Sequence, residues 1–284
     1  MLPSGQRAEA MYKTAMTNSM KIAIAGAAGR MGRQLIAAAM QAGHDVTGGS
    51  EAPGSPSIGR DLGSLAGLDP SGVLAVDHVE TAAEGARIWI DFTVPHVTLD
   101  NLKNLQDLGV QGAVIGTTGF SDAEEKEIAA AAASLAIVKA GNFSLGVNLL
   151  EALVKQAAAR LGTDWDIEVL ETHHKHKVDA PSGTALMLGS AAALGRGAEL
   201  SALKSAPYDG PDAKRVAGEI GFSVRRSGGV IGDHEVTFGS EMEIVSLRHT
   251  ALDRAVFAHG AIKAAEWCAG QPAGLYDMTD VLGL

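Results

Sequence analysis

Apolar residues gather first into short unbroken runs and later into alternating ones, and that change of pattern divides the chain. Lys21-Ile22-Ala23-Ile24-Ala25-Gly26 reads as a short buried strand, and the stretch after it carries Met31, Leu35, Ala38 and Ala39 at helical spacing through about Ala42. A second strand is expected near Asp45 to Glu51. A loop rich in Gly, Pro and Ser then covers 52–72, with at most a short helix. Further strands are expected at Arg87 to Phe92, Val110 to Ile115 and Ala136 to Lys139, the first two leading into helices near 96–108 and 122–134. Strands alternating with helices predict an α/β fold with a doubly wound parallel sheet.

Past residue 144 the rhythm differs. A helix over about 146–161 leads to a strand, Asp166 to Glu171, and another helix starts at Ser182–Thr184. Residues 217–249 are strand-rich, alternating in His234 to Phe238 and Met242 to Leu247, with a turn at Ser227-Gly228-Gly229. Helix returns over about 253–269. The expected organisation is therefore a first domain, 20–143, completed by 254–284, and a second α+β domain, 144–253, with an antiparallel or mixed sheet. Residues 1–19 lack the apolar core of a signal peptide and are expected to be a disordered extension, Met20 opening the first strand.

Composition narrows the function. The chain has 284 residues, 46% hydrophobic and 20% charged, which is globular composition. With 23 basic against 33 acidic residues the net charge is −10, and aromatics are 4%, so no nucleic-acid partner is expected. No apolar run approaches the ~18 residues of a membrane span. Cys268 is the single cysteine and is expected to pack inside a helix; with no disulfide possible within the chain, the expected compartment is the cytoplasm.

Against that acidic background two constellations carry chemistry. The first is the turn Gly26-Ala27-Ala28-Gly29-Arg30-Met31-Gly32 between a strand and a helix, a Rossmann-like arrangement in which small residues let a pyrophosphate approach the helix N-terminus. Its spacing departs from the dinucleotide fingerprint, with Ala28 where a second glycine usually stands. Glu51, 25 residues after Gly26, ends the second strand, where a carboxylate can accept from ribose hydroxyls and repel a 2′-phosphate. Ala52 follows it in place of a cation, so NADH is expected to be preferred over NADPH, although Arg60 in the adjoining loop favours the latter. Gly116-Thr117-Thr118 and Ala140-Gly141-Asn142-Phe143 follow two later strands, at the carboxyl edge where open α/β sheets bind ligands.

The second constellation is Glu171-Thr172-His173-His174-Lys175-His176-Lys177-Val178-Asp179-Ala180-Pro181-Ser182-Gly183-Thr184-Ala185. Three histidines and two lysines can hold positive charge and deliver a proton. Ser182, Gly183 and Thr184 start a helix whose first N–H groups lack partners and suit an anion. Together they predict a pocket for a small substrate with more than one carboxylate. A metal site is disfavoured, because a strand's period of two sets His173 opposite His174 and His176 and no metal-binding frame accompanies them. A non-catalytic nucleotide-binding redox sensor, a metal-dependent hydrolase and a reductase of another small carboxylated substrate are the alternatives. The sensor gives no reason for the acid, the cations and the helix start to converge.

The motifs Gly-Ala-Ala-Gly-Arg-Met-Gly, Asp-Phe-Thr, Ile-Gly-Thr-Thr-Gly-Phe, Asn-Phe-Ser and Glu-Thr-His-His-Lys-His-Lys-Val-Asp-Ala-Pro-Ser-Gly-Thr-Ala, in this order, resemble those of the 4-hydroxy-tetrahydrodipicolinate reductases (dihydrodipicolinate reductases) over about residues 20–284. The resemblance implies an NAD(P)H-dependent homotetramer of the diaminopimelate and lysine route, with a nucleotide domain and a substrate domain that takes a small cyclic dicarboxylate. It implies that His173 is the proton donor and Lys177 the second catalytic residue, while His174, Ser182, Gly183 and Thr184 meet the substrate. It puts the nucleotide on residues 26–31, Glu51, 116–118 and 140–143, with hydride passing to ring C4. Ala52 stands where some dual-specificity members are basic.

Overall fold

The structure is a computed structural model that describes residues 19–284, so the expected extension lies, apart from Ser19, outside the described residues. The chain forms two compact units: residues up to Val138 with Ala261–Leu275, and Lys139–Gly260 with Tyr276–Leu284. The joins fall a few residues from the expected 143/144 and 253/254. The C-terminal segment from Tyr276 goes with the second unit.

The first unit is built on a seven-stranded sheet of β1 (Lys21–Ala25), β2 (Asp45–Ser50), β3 (Ala75–Val76), β4 (Ile88–Asp91), β5 (Gly112–Ile115), β6 (Ala136–Lys139) and β11 (Gly274–Tyr276), in the order β11-β6-β5-β4-β1-β2-β3. Pairs β1–β2, β1–β4, β4–β5 and β2–β3 are parallel. β4 and β5 are buried at every position, the continuous apolar signature of strands covered on both faces. The chain runs from β1 to β2 on one side and returns to β4 on the other, so β1/β4 is the point where the winding reverses. The covering helices include α1 (Arg30–Gln41), α4 (Pro95–Leu105) and α5 (Asp122–Ala131), the last opened by a Ser121–Glu124 capping box. α1 buries Gly32, Leu35, Ile36, Ala38 and Ala39, while Met31 is only half-buried. Short α2 (Leu62–Leu65) and α3 (Val79–Ala82) complete the loops around β3.

Cys268 is buried near the end of α9 (Ala255–Cys268), with Sγ 3.3 Å from the Ala136 carbonyl oxygen. Burial pushes its thiol up to about 11, so it packs and does not react.

The second unit has a mixed sheet of β7 (Asp166–His173), β8 (Ile220–Arg226), β9 (Gly232–Gly239) and β10 (Ile244–Ala251), in the order β10-β9-β7-β8. β7 pairs parallel with β8 and antiparallel with β9. Helices α6 (Leu145–Arg160) and α7 (Gly183–Gly195) cover one face, where Leu150 and Val154 meet Ile167, Val169, Leu188, Val236 and Phe238. Short α8 (Leu200–Leu203) and α10 (Met278–Leu282) finish the unit. Among the described residues no helix is long and apolar enough to cross a membrane.

Candidate active site

The glycine turn in the first unit is shaped for a close approach. Gly26 has φ +62°, the left-handed region that glycine enters without strain. A Cβ on Gly32 would come within 2.1 Å of the Gly26 carbonyl oxygen, so the first turn of α1 packs directly on the loop. Gly29 is the N-cap, offering no side chain to the helix, and no acidic residue stands in the first turn. The opening N–H groups of α1 are therefore left for an outside anion, with exposed Arg30 beside them. These features fit a dinucleotide pyrophosphate. Glu51 folds onto the loop: its Oε1 accepts from the Ala28 N–H at 2.7 Å and its Oε2 from the Ser55 hydroxyl at 3.1 Å.

Thr117 points inward in the first unit. Its side chain is buried, with Oγ1 2.8 Å from Thr98 Oγ1 and 3.4 Å from Asp91 Oδ1, so it is engaged inside the protein. Any ligand contact there falls to the backbone or to exposed Thr118. Gly116 is required for packing, since a Cβ would enter the Phe92 ring at 2.1 Å. The Ala140–Phe143 loop belongs to the second unit, where Asn142 Nδ2 donates to Thr184 Oγ1 at 3.1 Å.

In the second unit the basic segment does not continue as a strand. β7 ends at His173, and the chain turns, with the Lys177 N–H bonded to the His174 carbonyl. The two-face argument about His174 and His176 thus does not apply; their rings lie 6.2 Å apart in the turn. Among the described residues no group of three His, Cys, Asp or Glu side chains is arranged to hold a metal ion.

The inner face of the sheet decides the rest. Ile167 and Val169 face the core; continuing by twos along β7, Glu171 and His173 occupy the same face. Register brings Glu171 opposite His234 on β9 and sets His173 beside Arg226 on β8. His173 Nδ1 lies 2.5 Å from Glu171 Oε2, which leaves Nε2 as the free edge of the imidazole. Arg226 bonds both Glu171 oxygens, at 2.8 and 3.0 Å, and the Ser182 N–H donates to Oε1 at 3.0 Å. Burial raises the Glu171 pKa, but the hydrogen bonds from Arg226 and His173 outweigh it and hold the carboxyl below its usual range.

Ser182 caps α7, its Oγ accepting from the Ala185 N–H at 3.1 Å, so its hydroxyl proton is free to reach His234 Nε2 at 3.0 Å. Gly183 and Thr184, the first two helical positions, have no acceptor within the helix for their N–H groups. A Cβ on Gly183 would meet nothing within 4 Å, so this glycine leaves the helix end open without being needed for packing.

Two cations are anchored on the segment that joins β7 to α7. Lys177 Nζ pairs with Asp179 at 2.9 Å, an exposed contact worth about 0–1 kcal/mol and readily exchanged for another carboxylate. Arg254 donates to His174 Nε2 at 3.1 Å. Burial, then the Arg254 charge and those of His176, His173 and Lys177, push the His174 pKa below its ordinary value. His174 Nε2 serves as an acceptor here, and Arg254 brings a positive charge beside it. Sequence reasoning assigned no role to Glu171, Arg226, His234 or Arg254. The spacing Ile167-x-Val169-x-Glu171-x-His173 was the available signal, since it puts a carboxylate and an imidazole at core positions.

Residues 20–143 match the family model for the dihydrodipicolinate reductase N-terminus, and residues 146–282 match that for its C-terminus. The chain belongs to the dihydrodipicolinate reductase family. It is 52% identical over 274 residues to a 4-hydroxy-tetrahydrodipicolinate reductase of Parvibaculum lavamentivorans, covering 95% of this chain and 100% of that one. It is 48% identical to one of Rhodopseudomonas palustris, covering 94% and 98% respectively. The structure resembles a dipicolinate-bound dihydrodipicolinate reductase from Paenisporosarcina sp. TG-14, with TM-score 0.71 and 25% identity, over 91% of this chain and 97% of that one. An amine dehydrogenase from Mycobacterium smegmatis, at TM-score 0.62 and 15% identity over 92% and 95% of the two chains, shares the fold. In this chain a buried carboxylate–imidazole pair and an open helix start stand together at the C-terminal end of β7 and the start of α7.

Proposed function

We propose that this chain is a 4-hydroxy-tetrahydrodipicolinate reductase of the diaminopimelate and lysine route, using NAD(P)H and delivering its proton from His173. The observation that carries the residue assignment is that Glu171 ties His173 Nδ1 to the Ser182 N–H at the open start of α7, with Lys177 and Arg254 anchored on the segment between them. One substrate carboxylate rests on the Gly183 and Thr184 N–H groups, favoured by the helix dipole. Lys177 exchanges Asp179 for substrate charge, and Arg254 adds a cation at His174 on the same connecting segment.

The residues of the glycine turn, Gly26 to Met31, with Glu51, 116–118 and 140–143, hold the nucleotide. When bound, the dihydronicotinamide supplies the hydride to ring C4 of dihydrodipicolinate. His173 donates its proton from Nε2 to the adjacent ring carbon, and the imidazole is left neutral while Glu171 keeps its orientation. Lys177 offsets the negative charge that grows as the hydride arrives.

On this reading the first unit is the nucleotide domain and the second the substrate domain. Glu51, at the end of β2, favours NADH over NADPH. The enzyme works in the cytoplasm as a homotetramer. Support for assembly is the outer face of the second unit's sheet, where Ser223, Arg225, Ser246 and Arg248 are exposed among the described residues, with Ile244 71% exposed at its edge. The test couples the purified chain to the preceding synthase step and follows NADH and NADPH absorbance, with sedimentation to give the number of chains. Substrate-dependent oxidation is expected, with the larger kcat/KM for NADH. Protein that binds NADH but oxidises it with no substrate generated in this way is not this reductase.

A further inference from the structure

A carboxylate at a core-facing position is an expensive choice. Burying an ion pair seldom adds stability over a well-packed apolar residue, so its retention calls for another account. Glu171 is 1% exposed, on the face that Ile167 and Val169 use for packing. Its two oxygens divide their work. Oε2 meets His173 Nδ1, Oε1 accepts the Ser182 N–H, and the Arg226 guanidinium bonds both. Arg226 also donates to the Asp179 carbonyl at 2.7 Å, fixing the chain just before the start of α7. One side chain is thus bonded both to the proton donor and to the N-cap of the helix whose next two N–H groups face outward.

We propose that Glu171 is the positioning residue of the reduction: one buried carboxylate, held by Arg226, sets the His173 imidazole and the anion-binding start of α7 in a common frame. The inference rests on the reductase reading above. Through Oε2 it fixes the direction of His173 Nε2 and balances the charge of the imidazolium before proton donation, as a buried carboxylate does in other acid–base dyads. Through Oε1 it fixes where a substrate carboxylate lies. Its two effects are separable, because the first acts through His173 and the second does not.

The experiment is a double-mutant cycle on the full-length enzyme with E171Q, H173Q and the double variant, reading kcat, KM, and the Kd values of dipicolinate and NADH. E171Q is expected to lower kcat roughly 10²-fold, within the span of a misplaced general acid. In the H173Q background the same change is expected to alter kcat less than about 3-fold, since no imidazole remains to be oriented. The dipicolinate Kd is expected to rise roughly 10-fold in both backgrounds, matching the loss of one charge-assisted bond, with the NADH Kd unchanged. An undiminished kcat loss in the H173Q background overturns the proposal, as does an unchanged dipicolinate Kd or a near-normal kcat for E171Q. If E171Q does not fold, E171D carries the same cycle: it keeps the charge but is one methylene short of holding Nδ1 and the Ser182 N–H together. A wild-type enzyme that neither turns over nor binds dipicolinate sinks the reductase reading; a wild-type enzyme that does both, with uncoupled variants, sinks only the role of Glu171.

Discussion

Two buried carboxylates, one in each unit, stand beside the turns assigned to ligands, and they are satisfied in opposite ways. Asp91, at the end of β4, accepts from the Thr93 N–H at 3.0 Å, the Thr93 hydroxyl at 2.5 Å, the Thr98 hydroxyl at 3.0 Å and the Asn101 amide at 2.9 Å, with Trp89 Nε1 at 3.4 Å. These partners are all neutral. Glu171, near the end of β7, meets a guanidinium and an imidazole. Neutral donors make a fixed tie, suited to shaping loops around a cofactor that brings its own chemistry. A carboxylate facing an imidazole answers to the charge of that imidazole, which suits a place where a proton leaves. Equal burial therefore serves geometry in one unit and charge in the other.

Substitutions can break this contrast, starting with the largest effect. H173Q is expected to lower kcat roughly 10²–10⁴-fold, the span of a lost general acid, with little change in NADH affinity measured by fluorescence titration. A near-normal kcat removes the assignment.

His234 comes next. Burial, reinforced by the His173 charge, pushes its pKa from the ordinary 6.5 to about 4; Glu171, His249 and Asp233 also face it. The unfolded chain then binds the extra proton first, so this contribution to stability is complete above about pH 6.5 and fades as pH falls toward 4. At ~1.4 kcal/mol per pKa unit the loss reaches about 3 kcal/mol. H234Q retains an acceptor for the Ser182 hydroxyl and has no proton to gain. Its denaturant midpoint is expected to fall less than that of the wild type between pH 6.5 and 4; parallel curves refute the assignment.

D91N sharpens the other side. An amide at position 91 turns one acceptor into a donor facing donors, at a cost of about 2 kcal/mol in urea unfolding. Because Asp91 is read as a tie and not a participant, kcat at saturating cofactor is expected to stay within about 3-fold of wild type, a change of under 1 kcal/mol in the barrier. A kcat loss matching that of H173Q would erase the distinction between the two carboxylates.

The smallest expected effect is at Glu51, which accepts from the Ala28 N–H and the Ser55 hydroxyl. E51Q removes a charge that repels a 2′-phosphate at a half-exposed place, worth about 1 kcal/mol. The NADPH-to-NADH ratio of kcat/KM is expected to rise by roughly 5-fold; an unchanged ratio moves cofactor choice elsewhere.

Local chemistry made much of this legible. The apolar runs of β1, β4 and β5, and the turn from Gly26 to Gly32, were readable because buried parallel strands and phosphate turns leave contiguous marks. The Ser182 cap was readable for the same reason, since cap and helix are adjacent in the chain. β3 and β11, of two and three residues, have no period to detect. The Arg254 partner of His174 was not readable, because it lies 80 residues away.

By itself the sequence determined the alternation of the two units' elements, the glycine turn, and the segment from Glu171 to Ala185 in which an acid, cations and a helix start follow one another. Each is set by dihedral preference, burial period or capping within a few residues. Tertiary structure decided the partners. Sheet register carried Arg226 and His234 to Glu171, and the turn after β7 carried Arg254 to His174. Those pairings depend on which strands lie side by side, and the charge that each histidine carries depends on the burial and neighbours that result.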